Sequence, residues 1–569
     1  MRFTYYPPFR IAGVIATCIS ALLYGCGGGG SGSGFGVGTA GGSGSGSAGG
    51  DAGSAPLNAS QVAERCAVGT LSKAIEGLTE AKITSASVNS TGSFKPPTGN
   101  TVNVLPAYCD IQLSIKRGEA VANIRVWAPL EWNERFMGTL GGGNLCPPMW
   151  EWPVPYRQMT MPIAIRKGFA VASTDCGNRD TRTAWNRDPQ SGALNTDLIR
   201  SWAYEGTHDM AVVGKIVARA LYRRNEKYSY ALGTSGGGRQ AMMEAQRYPT
   251  DFNGIWASDP AIYWDKVFGA MMWPPLVMKE LKNPLSADKL NAFQKAAISA
   301  CDGLDGLVDG LISNTTTCTW DPNLLVGSQT PEGATVTATD ALVMQKIWEG
   351  PRTSTGEFMW YGLRRGTSGA GIASTAVVNG QLVPVPFSIA LDWWANWLKG
   401  DPNWDWQTLT VPEYESLFAA GKQMYPDVAT DSTDLAALRA AGTKLIISTA
   451  ANDALIYPDQ VIRYYNDVTT ATGGLEATKS FARLFSAAGD EHSLNLNGPG
   501  MSLDNGLDAL MNWVEKSQAP DQILGEQYDN ISATVPRTRP ICAYPMVPRY
   551  LGNGADPNAA ASFKCDTHY

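Results

Sequence analysis

Histidine is almost missing from this chain: 569 residues contain three, His208, His492 and His568. No cysteine or histidine spacing resembles a zinc site, and so few imidazoles could not supply one. Basic clusters are lacking as well. Lys and Arg total 45 against 52 Asp and Glu, a formal charge of -7, which argues against a nucleic-acid partner. With 17% charged and 44% hydrophobic residues, the composition is that of an ordinary globular protein and excludes a disordered or fibrous one. No apolar run is long enough to span a bilayer comfortably, which takes about 20 residues. The length exceeds what one simple compact domain holds, so a core with at least one sizeable insertion is expected.

What is present begins at the N-terminus. Arg2 and Arg10 precede an apolar stretch from Ile11 to Tyr24, which has the charge pattern and length of a signal peptide. It ends Leu22-Leu23-Tyr24-Gly25-Cys26, similar to a bacterial lipoprotein processing site, with Cys26 as the lipidated residue; the alternative is an ordinary secretory signal. Residues 1–25 are therefore assigned to a signal peptide and 26–55 to a Gly/Ser-rich tether that cannot bury apolar surface. The expected location is the bacterial outer membrane through that anchor, otherwise the periplasm or the medium. Eight further cysteines, Cys66, Cys109, Cys146, Cys176, Cys301, Cys318, Cys542 and Cys565, suit four disulfides in an exported protein, and the sequence alone leaves the pairing open.

The most informative stretch runs from Tyr228 to Pro249. It begins as a short strand pattern and ends as a helical one, with Gly233-Thr234-Ser235-Gly236-Gly237 between them. That is a G-x-S-x-G match in the strand–turn–helix setting of a nucleophile elbow. A serine there sits on a strained turn, and flanking side chains would collide with the neighbouring strand or helix. The Gly236 N–H and the helix N-terminus would stabilise a developing oxyanion.

Such a serine needs a general base. His568 is the penultimate residue, and His208 lies in a helical run, Trp202 to Arg219, where a structural role fits better. His492 follows the strand-like Ser480–Phe485 in the loop Ala488–Ser493 and is the expected base. The orienting carboxylate should fall between serine and histidine in chain order. Asp453 does, in the loop after the buried strand Lys444–Thr449; Asp259 and Asp490 are its rivals. For the second oxyanion donor, the loop Gly141-Gly142-Gly143-Asn144 after Arg135–Leu140 has the required form, with Gly142 as the expected donor.

These pieces, taken in order, resemble the tannase and feruloyl esterase family, which includes mono(2-hydroxyethyl) terephthalate hydrolase. Along nearly the whole mature chain the matching segments are Leu105–Cys109, Trp132-Asn133 with Gly141–Gly143, Val171–Asp175, Ser235–Gln240, the Asp453 loop and Arg539–Pro545 with Arg549-Tyr550. The resemblance implies an α/β-hydrolase core, 56–259 and 436–569, interrupted by a lid domain at 260–435. It implies a structural calcium ion in Cys301–Ile312, held by the side chains of Asp302, Asp305 and Asp309 and the carbonyls of Leu307 and Leu311. Hard oxygen ligands suit that ion. It also implies the pairs Cys301–Cys318, Cys66–Cys109 and Cys542–Cys565, which leaves Cys146 with Cys176.

The family usually carries a cysteine before the nucleophile and another after the histidine, joined as a clamp; here Thr234 and Ser493 stand there. A hydroxyl pair, at about 1 kcal/mol, is a weak replacement, so looser geometry between Ser235 and His492 is expected. Two acids beside His492, Asp490 and Glu491, should raise its pKa. Ten of the 18 tryptophans lie between Trp264 and Trp406. Most are expected to form lid core, and any that face the site would offer a wall for a planar acyl group. The resulting expectation is a serine hydrolase without organic cofactor, acting on small esters of hydroxycinnamic, gallic or terephthalic-type acids. The alternatives are an esterase for aliphatic or polyester-derived esters and a non-catalytic ligand-binding lipoprotein on the same scaffold.

Overall fold

A nine-stranded sheet organises the chain. In this computed structural model, residues 57–97, 99–150, 159–178, 185–188, 190–369, 371–492, 498–529 and 534–567 are described. The signal segment, Cys26, the tether, Ser493 and His568 lie outside them.

The strands are β1 (Ala81–Asn89), β2 (Tyr108–Arg117), β3 (Ala120–Pro129), β4 (Arg135–Leu140), β5 (Ala170–Thr174), β6 (Tyr228–Thr234), β7 (Gly254–Ser258), β8 (Lys444–Ala450) and β9 (Ala482–Ala487). Their order is β1-β2-β3-β5-β4-β6-β7-β8-β9. The first three pair antiparallel, as does β3 with β5, while β5, β4, β6, β7, β8 and β9 run parallel. Parallel strands need cover on both faces, and the sequences comply. Every residue of β5 and β7 is buried, and in β6 all but the first are.

Alternate side chains enter two cores. In β6, Ala231 joins the core beneath α1 (Gly206–Tyr222) and α2 (Gly236–Arg247), while Tyr230 and Leu232 join the opposite one. There the helix Leu503–Lys516 contributes Leu507, Leu510 and Trp513. The predicted strand at Ser480–Phe485 falls two residues later, at Ala482–Ala487, because Thr478 and Ser480 close the preceding helix.

Between β7 and β8 the chain leaves the sheet for a large, mostly helical insertion, which includes Ala287–Cys301, Ala338–Glu349 and Val411–Met424. It shares one compact unit and one hydrophobic core with the sheet. Most of its tryptophans are spent on that core: Trp264, Trp393, Trp394 and Trp397 are buried, and Trp394 stacks on Tyr414 with ring centres 5.1 Å apart. The four disulfides are Cys66–Cys109, Cys146–Cys176, Cys301–Cys318 and Cys542–Cys565. Among the described residues no helix is long and apolar enough to cross a membrane.

Candidate active site

Ser235 is the hinge between β6 and α2, with φ 63° and ψ -119°, a conformation that costs a non-glycine residue strain. The turn is held by its surroundings: the Ser235 N–H donates to the Ser258 carbonyl at 2.9 Å, and its own carbonyl accepts from the Arg239 N–H at 2.9 Å. Its glycines are there for closeness. A Cβ on Gly233 would stand 2.3 Å from the Gly237 carbonyl oxygen, and one on Gly237 would stand 2.4 Å from that of Leu140. No side chain fits at either position.

Asp453 and His492 come from the loops after β8 and β9, at the same end of the parallel sheet as Ser235. The fully buried Asp453 carboxylate accepts from His492 Nδ1 at 2.7 Å. Its other oxygen takes the N–H groups of Leu455 and Ile456 at 2.7 and 2.9 Å, so the carboxylate has little freedom to turn. The two loops are tied together by the Ala451 N–H on the Ala487 carbonyl and the Asn452 N–H on that of Asp490. Burial pulls the His492 pKa down, but the Asp453 charge and hydrogen bond, with Asp259 and Asp490 behind them, overcome it and raise it to about 9. The imidazole is about one-fifth exposed. Among the described residues no hydrogen bond joins it to the Ser235 hydroxyl.

The other expected candidates are placed elsewhere or differently. His208 bonds Asp251 at 2.6 Å and stacks on Tyr248. Asp251 lies in the loop entering β7, at the sheet end opposite Ser235, so this pair is a separate structural one. Asp259 is buried beside Asp453 with one oxygen on the Ala450 N–H, at 2.7 Å. Asp490 is buried too and accepts from the Glu491 N–H; neither makes the 2.7 Å bond to the ring that Asp453 makes.

In the glycine loop after β4, the residue lying against Gly236 is Gly143: a Cβ on Gly236 would meet its carbonyl oxygen at 2.1 Å and its nitrogen at 3.1 Å. Three consecutive glycines offer no sequence signal to rank Gly142 against Gly143. Two further supports of this loop were invisible in the sequence. Gln240 of α2 donates to the Gly141 carbonyl at 3.4 Å. Asn144 donates to Asp392 of the insertion at 3.0 Å, where Asn396 also bonds Asp392.

The comparisons with known proteins agree with this architecture. A family model described as tannase and feruloyl esterase matches residues 112–566. The chain belongs to this family. A probable feruloyl esterase of Arthroderma benhamiae is 36% identical over 483 residues, covering 83% of this chain and 88% of the relative. An uncharacterized esterase of Xanthomonas campestris is 30% identical over 524 residues, 84% of this chain and 88% of the relative. Among solved structures, feruloyl esterase B of Aspergillus oryzae superposes with a TM-score of 0.74 at 24% identity, covering 87% of this chain and all of that one. Tannin acyl hydrolase of Aspergillus niger gives 0.75 at 21%, covering 89% and 95%. The fold is that of the α/β-hydrolases with a large inserted lid, and this family member is a carboxylic ester hydrolase.

The acidic loop Cys301–Ile312 shows how far its donors suit a cation. Burial, with the charges of Asp309 and Asp302, outweighs the Ser313 and Leu307 hydrogen bonds and raises the Asp305 pKa. Hard oxygens of this kind suit calcium. Part of the charge is already met: Arg539 bonds Asp309, and Asp302 accepts the Asp309 and Gly310 N–H groups at 3.0 and 2.8 Å. Among the described residues no three acidic, histidine or cysteine side chains converge as a metal cage.

Proposed function

We propose that this protein is an exported serine esterase that hydrolyses esters of hydroxycinnamic, gallic or terephthalic-type aromatic acids through an acyl-enzyme on Ser235. The observation that carries this reading is the 2.7 Å bond between His492 Nδ1 and a fully buried Asp453, at the sheet end where Ser235 projects.

In the first half of the reaction, the Ser235 oxygen attacks the ester carbonyl as His492 Nε2 takes the hydroxyl proton. The negative oxygen of the tetrahedral intermediate is held by the Gly236 N–H and by an N–H of the Gly142–Gly143 segment. Collapse breaks the ester C–O bond, and His492 returns the proton to the departing alcohol. Water, deprotonated by the same imidazole, then attacks the acyl-serine; the acid leaves and the serine hydroxyl is restored. Asp453 keeps the imidazole proton on Nδ1 and offsets the charge of the imidazolium throughout.

The aromatic acyl preference draws support from the names of the relatives. Export draws support from the charged and apolar N-terminus and from four disulfides, with Cys26 proposed as a lipid anchor. A structural calcium ion held by Asp302, Asp305, Asp309 and the Leu307 and Leu311 carbonyls draws support from the hard-oxygen character of these donors; it takes no part in the chemistry. The test is an ester panel of methyl ferulate, methyl gallate, a terephthalate monoester and alkyl butyrates, with Ser235→Ala as control. Turnover of the aryl esters, with fluorophosphonate labelling lost in the variant, is expected. Turnover of alkyl esters alone would overturn the acyl assignment, and no labelling of folded wild type would overturn the esterase mechanism.

A further inference from the structure

Asp259 is a second acid at this end of the sheet, one strand nearer the nucleophile than Asp453. It follows the last residue of β7 in a left-handed conformation, φ 41°, and is 2% exposed. Its N–H donates to the Ser448 carbonyl and one carboxylate oxygen accepts from the Ala450 N–H, both at 2.7 Å. Asp259 therefore extends the β7 ladder along one edge of β8, holding Ser448 and Ala450 where that strand ends and the Asp453 loop begins. The other oxygen accepts from Ser258 Oγ at 3.2 Å.

Behind it is a small cavity of about 10 Å³, with Asp259, Asp490, Ser448 and Thr449 on its polar side, about the room one water needs. The Thr449 hydroxyl is buried there without a partner among the described residues. The titratable groups facing Asp259 are Asp453 from the β8 loop and His492 and Asp490 from the β9 loop. The rest of the cavity wall is hydroxyl or apolar, from Ser258 to Phe485 and Ile541.

We propose that Asp259 is a positioning residue for the Asp453–His492 pair, anchoring the β8 turn that presents Asp453 and placing a second carboxyl behind the imidazole. This rests on the reading of His492 as general base. Burial, then the nearby Asp453, raise the Asp259 carboxyl against the pull of His492, to about 7. Below that pH it is neutral, and His492 answers chiefly to Asp453; above it, a further anion makes the imidazole harder to deprotonate.

The experiment uses Asp259→Asn, which keeps an oxygen for the Ala450 N–H and removes the charge, beside Asp259→Ala, which removes both. In Asp259→Asn the acid limb of kcat/KM should move down by about one pH unit, a tenfold change in the protonation equilibrium, with KM unchanged. Asp259→Ala should show the same movement and a lower kcat. With three histidines in the chain, ring NMR reads His492 directly once its signal is assigned from His492→Gln. The wild-type titration should have two steps, one near neutrality as Asp259 ionises, and Asp259→Asn should lack that step. A folded Asp259→Asn whose limb and ring titration superpose on wild type overturns the proposal. Should the variants fail to fold, a single-step wild-type titration overturns it and a two-step one supports it. The underlying reading fails separately, if His492→Gln keeps its turnover.

Discussion

Replacing Gly236 by alanine tests the oxyanion geometry with a single methyl group. The new Cβ would lie 2.1 Å from the Gly143 carbonyl oxygen, whereas ordinary contacts begin near 3.4 Å, so the two must part by more than 1 Å. The neighbour is backbone and cannot rotate away as a flexible side chain would. The strand–turn–helix is fixed by β6 and α2, so the glycine loop gives. That loop supplies the proposed second N–H donor, and losing one such donor costs about 10²–10³ in kcat, or about 2.7–4 kcal/mol of transition-state stabilisation. Misplacement of about 1 Å near a reacting centre has a comparable cost. The assay is steady-state hydrolysis of methyl ferulate, with circular dichroism to confirm folding. A kcat reduced at least 100-fold at nearly constant KM is expected. A folded variant turning over within threefold of wild type refutes the packing of Gly143 on Gly236 as the source of the oxyanion site.

Further outcomes follow from the same geometry. Asp453→Asn retains the shape of the acid but not its charge, and should lower kcat by about 10³–10⁴, read as turnover of active-site-titrated enzyme; a loss under tenfold would point to another acid. Because His492 is raised to about 9, kcat/KM should climb into the alkaline range, and a limb centred at or below about 6.5, the ordinary imidazole value, would contradict it. The stability sign follows: the protonated pair stabilises the fold fully below about 6.5 and loses that contribution as pH rises through about 9, measurable as a falling denaturation midpoint. Opening Cys301–Cys318 by a double Ser substitution removes a cross-link worth about 3 kcal/mol, and EDTA should lower the melting temperature of wild type without abolishing labelling of Ser235; an unchanged melt with chelator would dismiss the calcium ion.

What the sequence could reveal about this site depended on distance along the chain. The elbow was legible because steric demand puts glycine at adjacent positions around Ser235, and that demand is local. Asp453 and His492 were legible because buried strands announce their ends and three histidines leave few choices. Gly143 was not distinguishable from Gly142, since three equal residues carry no register. The Asn144–Asp392 bond joins residues 248 apart, and the Asp259–Ala450 bond residues 191 apart; contacts of that span arise from how the sheet is ordered, and no local pattern marks them. His208 read as structural for its helix, yet its partner Asp251 became visible only with the turn into β7 in place. The α/β-hydrolase core followed from the elbow and the resemblance, while the strand order was not legible and β1, an antiparallel edge strand, had no signal of its own.

The large insertion leaves β7 after Ser258 and re-enters β8 at Lys444, the register partner of Gly254 at the far end of that parallel pair. A strand's length therefore separates its two ends, and the segment has to travel back along the sheet before the chain can rejoin it. Because it shares the sheet's hydrophobic core on the way, the insertion is a girder of the fold. Exchanging it for a relative's segment means recutting that core, as well as restoring a carboxylate for Asn144, the part Asp392 plays here.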